Sequence, residues 1–133
     1  MKKYTITCTG EQLQYIAACV EDIHRFLAGQ CELFQTTSFI EHAKAMHECR
    51  KILNEQVRPY VVPDLPYKGQ SYSWNGGDCP NEYQRRAIAQ TYGIYRQILH
   101  FLTVQKGDNN CLSSPTLTCD ENMPLIEINE VKE

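Results

Sequence analysis

The densest run of chemically useful side chains is Ser71-Tyr72-Ser73-Trp74-Asn75-Gly76-Gly77-Asp78-Cys79-Pro80. Adjacent glycines at positions 76 and 77 allow positive φ and close backbone approach, so that successive N–H groups can converge on an anion. A helix predicted to begin at Pro80 adds its own free N–H groups and positive dipole end. Arg85 and Arg86 lie about one to two turns into that helix, within reach of a phosphate. Trp74 and Tyr72 offer flat faces on which a base can stack, and Asn75 carries both donors and acceptors for its polar edge. Tyr72, Trp74, Asn75, Gly76, Gly77, Arg85 and Arg86 therefore form a candidate site for a small phosphorylated nucleotide. The glycine spacing is that of neither a Walker loop nor a dinucleotide fingerprint. The same residues also fit a hairpin-like turn with Trp74 as a plug in the core.

Metal and nucleophile chemistry find less support. Glu21-x-x-His24 is half of a di-iron bundle motif, which needs a second Glu-x-x-His on another helix, and the chain has none. His42 and His47 are five residues apart and do not share a helix face. No spacing supports a zinc site built from Cys8, Cys119 and a histidine. There is no G-x-S-x-G elbow, and the carboxylate pairs Glu21-Asp22 and Asp120-Glu121 suit solvated faces better than an acid/base couple. No cofactor is implied, and binding is expected rather than catalysis.

A chain of 133 residues fits one domain, 1–133, and its 42% hydrophobic and 22% charged residues are ordinary for a globular protein. The net charge of −3 argues against broad binding to extended nucleic acid, which needs clustered cations to displace counterions. Charge is unevenly spread, with residues 81–106 basic and 107–133 acidic, so the tail can fold back on a basic helix or the helix can serve an anion. The seven cysteines are odd in number and scattered, with no C-x-x-C pair, which reads as reduced thiols in small core positions. Met1-Lys2-Lys3 runs directly into Tyr4-Thr5-Ile6-Thr7-Cys8 with no apolar core of signal length, and no apolar stretch reaches the roughly 20 residues of a membrane span. A cytoplasmic protein without membrane contact is expected.

The elements that must position the site follow from periodicity and caps. Residues 3–8 alternate as a short strand. Thr9-Gly10-Glu11-Gln12 forms a capping box, and Leu13, Ile16, Ala17, Val20, Ile23 and Leu27 recur at helical spacing until Gly29. Residues 31–37 fit either an extension of this helix or a turn. A second capping box at Ser38-Phe39-Ile40-Glu41 predicts a helix carrying Phe39, Ala43, Met46, Leu53 and Val57, ended by Pro59. Residues 58–80, rich in proline, glycine and aromatics, read as a long ordered loop. The third helix carries Ile88, Tyr92, Tyr95, Leu99 and Leu102 to about Gln105. Tyr83, Ile94 and Phe101 fall off that stripe, which suggests a face covered by a second chain. Strands at 116–119 and 125–130 complete the C-terminal segment 111–133. The expected fold is α+β: three main helices packed with a small antiparallel sheet formed by the N-terminal strand and a C-terminal hairpin.

The stretch Trp74-Asn75-Gly76-Gly77-Asp78-Cys79-Pro80-Asn81-Glu82, continuing through Gln84-Arg85-Arg86 and Ile88–Tyr92 to Ile98-Leu99-His100-Phe101, resembles a group of small uncharacterised proteins of gut-bacterial phages and mobile elements. Residues 21–30, Glu21-Asp22-Ile23-His24-Arg25-Phe26-Leu27-Ala28-Gly29-Gln30, are similar to theirs as well. The resemblance transfers no catalytic residue. It implies a phage accessory role in the host cytoplasm, of the kind that counters defence by sequestering a nucleotide immune signal, ADP-ribose-type or cyclic, in a compact homo-oligomer. The expectation is therefore a non-enzymatic, homo-oligomeric protein that captures such a nucleotide. The alternatives are a module that blocks or recruits a host protein, and a divergent nuclease or phosphodiesterase.

Overall fold

Helix α1 (Gly10–Leu27) starts where its sequence signal places it. The Thr9 hydroxyl accepts from the Gln12 N–H at 3.1 Å, and the Gln12 side chain accepts from the Thr9 N–H at 2.9 Å. Gly29, at φ 105°, adopts the left-handed conformation that ends it. The computed structural model describes residues 2–105 and 125–132 of the chain. Beyond α1 come α2 (Phe34–Thr37) and α3 (Ala43–Ile52). A π-helical turn (Leu53–Val57) follows, then α4 (Arg58–Val61), then α5 (Glu82–His100), which runs into a second π-helical turn (Phe101–Gln105).

The expected second helix is differently bounded. Ser38 closes α2 rather than opening α3, which starts at Ala43 with the His42 ring accepting from the Ala45 N–H at 3.2 Å. Residues 31–33 are a turn, and α2 is built on it. Pro59 does not end the helix. In a regular α-helix its ring would clash with the Glu55 carbonyl. The π-turn widens the backbone there, with the Arg58 N–H bonded to the Leu53 carbonyl, and the chain continues helically to Val61. The long connection therefore begins after Val61 and not at residue 58. Pro80 sits just outside α5, whose cap is Asn81, accepting from the Gln84 N–H at 2.9 Å.

The expected sheet does not form: among the described residues there is no strand. Residues 2–8 are exposed throughout and find no ladder. Residues 125–132 lie irregularly instead, and the Ile126 N–H donates to the Gln97 side chain on α5 at 2.9 Å. Alternation favours extended backbone, but a strand also needs a partner, and α1 and α5 already cover each other's apolar faces. The predicted strand 116–119 lies outside the described residues. The architecture is helical, with α1 against α5 as its main interface.

Two apolar clusters hold that interface. Ala17, Tyr95, Ile98 and Leu102 form one, with Leu13, Ile16, Ile94, Phe101 and Ile128 packed on it. Ile94 and Phe101 are thus covered largely within the chain, whereas Tyr83 is 90% exposed. Ala28, Val62, Tyr72, Cys79 and Ile88 form the other cluster. His24 is also buried in the α1–α5 interface. It donates from Nδ1 to the Ile88 carbonyl at 2.9 Å and lies 5.2 and 5.5 Å, ring to ring, from Tyr92 and Tyr95. No helix among the described residues is long and apolar enough to cross a membrane. Cys8, Cys19, Cys31, Cys49 and Cys79 are free, with Cys31 and Cys79 serving as small buried residues.

Candidate functional site

The loop singled out by its residue types is ordered by its own side chains. Ser73 accepts the Gly77 N–H at 3.1 Å, and the Asn75 side chain accepts it too at 3.0 Å. The Gly76 N–H donates to the Ser73 carbonyl at 2.9 Å, and the Cys79 N–H to the Gly76 carbonyl at 2.9 Å. The Asp78 carboxylate receives the Ser73 N–H at 2.8 Å and its hydroxyl at 2.9 Å. That backbone N–H chiefly holds the Asp78 carboxyl below its ordinary range. The loop's amides are thus taken up within the loop, the Gly76 and Gly77 N–H groups by Ser73 and Asn75 and the Ser73 N–H by Asp78. Gly76, at φ 68°, is required: a Cβ there would stand 2.9 Å from the Arg85 carbonyl oxygen.

None of the predicted residues lines either of the two concavities described below. Tyr72 is buried, and its hydroxyl donates to the Asp64 carboxylate. Burial first, then that bond, push the phenol pKa well up. Its ring serves the core and offers no stacking face. Trp74 is 38% exposed and leans on Tyr92 with ring centroids 5.0 Å apart, so it is half plug and half surface. Arg85 and Arg86 are exposed on the first turns of α5. Gly76 packs closely against the backbone of Arg85.

A wider cleft than any at this loop's own residues lies elsewhere among those described. It is an open cleft of about 600 Å³ whose walls are α3, the π-turn and the 66–68 segment. Arg50, Lys51, Arg58 and Lys68 line it against two carboxylates, Glu32 and Glu55. A second lobe of about 370 Å³ shares Glu32, Asn54 and Lys68 with it and reaches Gln30, Phe34 and Gln70. No family model, curated protein or solved structure matches this chain. The cleft must therefore be understood from its own residues.

Arg58 organises it. The side chain is 4% exposed and donates from Nε to the Gly29 carbonyl at 3.1 Å and from Nη1 to that of Leu65 at 3.0 Å. Nη2 donates to the Tyr67 and Gln70 carbonyls at 3.0 and 2.7 Å. One guanidinium thus ties the α1–α2 corner to the loop opposite, using four of its five N–H groups. All four partners are carbonyl dipoles. Among the described residues no carboxylate forms an ion pair with it, although buried charges are ordinarily paired. Arg50 ties the same corner from α3, donating to the Glu32 carbonyl and the Thr37 hydroxyl at 2.8 Å each. Lys51 and Lys68 are exposed and make no hydrogen bond or ion pair among the described residues.

Irregular backbone clusters around the same cleft. Leu33, at φ 51°, is the one non-glycine residue with positive φ among those described, and it lies between the lining residues Glu32 and Phe34. Such a conformation costs roughly 1–2 kcal/mol in a residue with a Cβ. It is held by Asp22 of α1, whose carboxylate accepts the Gln35 and Thr36 N–H groups at 2.8 and 2.6 Å and so caps α2 in place of a local side chain. The π-turn and the left-handed Gly29 and Gly69 complete the set. Strain and π-turns concentrate where binding sites are built.

Among the described residues no group of three or more His, Cys, Asp or Glu side chains could hold a metal ion. Sequence reasoning missed the cleft because its residues come from three separated segments. The available signals were Arg50-Lys51, Arg58 beside a proline, and Lys68 before a glycine.

Proposed function

We propose that this protein binds a small anionic ligand, a phosphorylated one in the first instance, in the cleft between α3, the π-turn and the 65–70 loop, and that it does so without chemistry. The observation that carries this is Arg58: a buried cation, bonded among the described residues only to carbonyls, lining a cleft that also presents the ammonium groups of Lys51 and Lys68, which have no partner among those residues. The missing counter-charge is the ligand. Arg58 and Arg50 are held in place by the fold, so the positive field is preorganised, whereas the two lysines can close on the anion as it arrives. A ligand-binding role also accounts for the strained Leu33 and the π-turn beside the cleft.

Titration calorimetry with inorganic pyrophosphate as probe tests the assignment. The double variant Lys51→Ala/Lys68→Ala is expected to weaken binding on the order of tenfold to a hundredfold, since hydrogen bonds to charged groups contribute about 1.5–3 kcal/mol each and exposed lysines lie at the low end. Arg85→Ala/Arg86→Ala is expected to bind as wild type. The reverse pattern would move the anion to the start of α5, where residue types alone had put it, and would overturn the cleft.

A further inference from the structure

The second lobe says more about the ligand than the anion site does. A plain polyanion would be served best by cations alone, yet Glu32 lines both lobes. Its main chain is fully used, the N–H donating to the Gln30 carbonyl and the carbonyl accepting from Arg50. Its half-buried carboxylate makes no hydrogen bond or ion pair among the described residues. A carboxylate without a partner in a basic cleft asks for a ligand that brings N–H donors as well as negative charge. Asn54 makes the same demand. Its amide nitrogen donates to the Arg50 carbonyl at 3.0 Å, which leaves the Oδ1 acceptor for the cleft both lobes share.

The lobe also presents an aromatic ring. Phe34 contributes a ring that is 40% exposed, with the Arg25 guanidinium 5.0 Å from its centre. Gly69 also lines the lobe and adds no side chain to it, and a Cβ there would meet nothing within 4 Å. A volume of about 370 Å³ falls in the range of small-molecule sites.

Resting on the anion assignment above, we infer that the ligand is a nucleoside phosphate whose base presents adjacent N–H donors, as guanine does, with the phosphate among Lys51, Lys68 and Arg58 and the base edge on Glu32. Guanine offers a ring N–H and an exocyclic amine side by side and can bond a carboxylate with both. Adenine offers one amine beside an acceptor, and uracil a single ring N–H beside two acceptors, so each leaves part of the carboxylate unpaired.

Calorimetric titrations with GMP, AMP, UMP and inorganic phosphate test this, on wild type and on Glu32→Gln. GMP is expected to bind at least tenfold more tightly than phosphate, AMP or UMP. Glu32→Gln is expected to remove that preference, so that GMP binds no more tightly than AMP or UMP, with the melting temperature unchanged. If phosphate binds and all three nucleotides bind only as phosphate does, the base lobe is refuted and the anion site stands. A guanine preference that survives Glu32→Gln likewise refutes the role of Glu32. If no probe binds, or if binding is indifferent to Lys51→Ala/Lys68→Ala, the anion assignment itself falls.

Discussion

Arg58 allows stability and binding to be separated in one residue. Arg58→Met keeps the apolar stem and removes the guanidinium. Four carbonyls lose their donors, but Tyr67 and Gln70 are exposed and their carbonyls can take water instead. Gly29 is buried and Leu65 half-buried, so two carbonyls stay unsatisfied. At ~1–3 kcal/mol each that is roughly 2–6 kcal/mol, partly offset because a buried cation no longer has to be desolvated. A net loss of about 2 kcal/mol is expected. Arg58→Lys is the harsher change. It keeps the buried charge, hence its desolvation, but three donors on one nitrogen cannot span four carbonyls held by a planar fork. About 3–5 kcal/mol should be lost, out of the roughly 5–15 kcal/mol that a domain this size has in total. Binding should follow the opposite order. Lysine retains the positive charge and part of the affinity for pyrophosphate, whereas methionine loses it by about tenfold or more. Urea unfolding and calorimetry on the three proteins give both orders. Arg58→Lys within about 0.5 kcal/mol of wild type would refute the structural fork, and Arg58→Met with unchanged affinity would refute the claim that this charge faces an anion.

Two further outcomes follow from other parts of the fold. Burial holds His24 below its ordinary 6.5, only partly opposed by its bond to the Ile88 carbonyl. The unfolded chain therefore takes up a proton more readily, so this contribution is complete above about pH 6.5 and is lost as the pH falls below it, by up to about 1.4 kcal/mol per unit. Urea midpoints measured from pH 8 to pH 5 should fall, and His24→Gln should flatten that slope; an equal slope in the variant would show that other groups cause it. Gly76→Ala should cost more than Gly69→Ala, although both have positive φ, because the new methyl at residue 76 meets the Arg85 backbone at 2.9 Å and at residue 69 meets nothing. The second change should cost about 1–2 kcal/mol from backbone strain alone, and equal melting temperatures for the two variants would contradict the packing described for the loop.

What the sequence made legible was local. The Thr9 capping box, the apolar stripe of α1 and the acidic start of α5 all act within a turn or two of themselves, and the helices stand where those signals put them. The sheet was illegible because alternation at residues 3–8 and 125–130 specifies extended backbone and says nothing of a partner. Pro59 misled for a related reason. Its clash with the preceding turn is avoidable when that turn widens, and nothing in the residue type announces the widening. Ser38 shows the limit of a capping pattern: the residues fit a box, but the chain had already formed α2 before it.

The loop reading counted donors without their acceptors. Gly76 and Gly77 do present amides inward, but Ser73, Asn75 and Asp78 are the residue types that form side-chain-to-backbone turns. Those three stand within the same six-residue span, so the quenching of the loop was readable in principle. The cleft was not. Arg50 and Arg58 look in sequence like surface cations on an amphipathic helix, and that is the commoner fate of such residues. They become a preorganised field only because the α1–α2 corner and the 65–70 loop bring carbonyls to them across intervals of 7 to 29 residues. A carbonyl has no signature in sequence, since every residue has one. A cluster of cations whose charge is held by main-chain oxygens is therefore invisible until the backbone is folded, and the charged residues left without a partner among those described are what the proposed anion would meet.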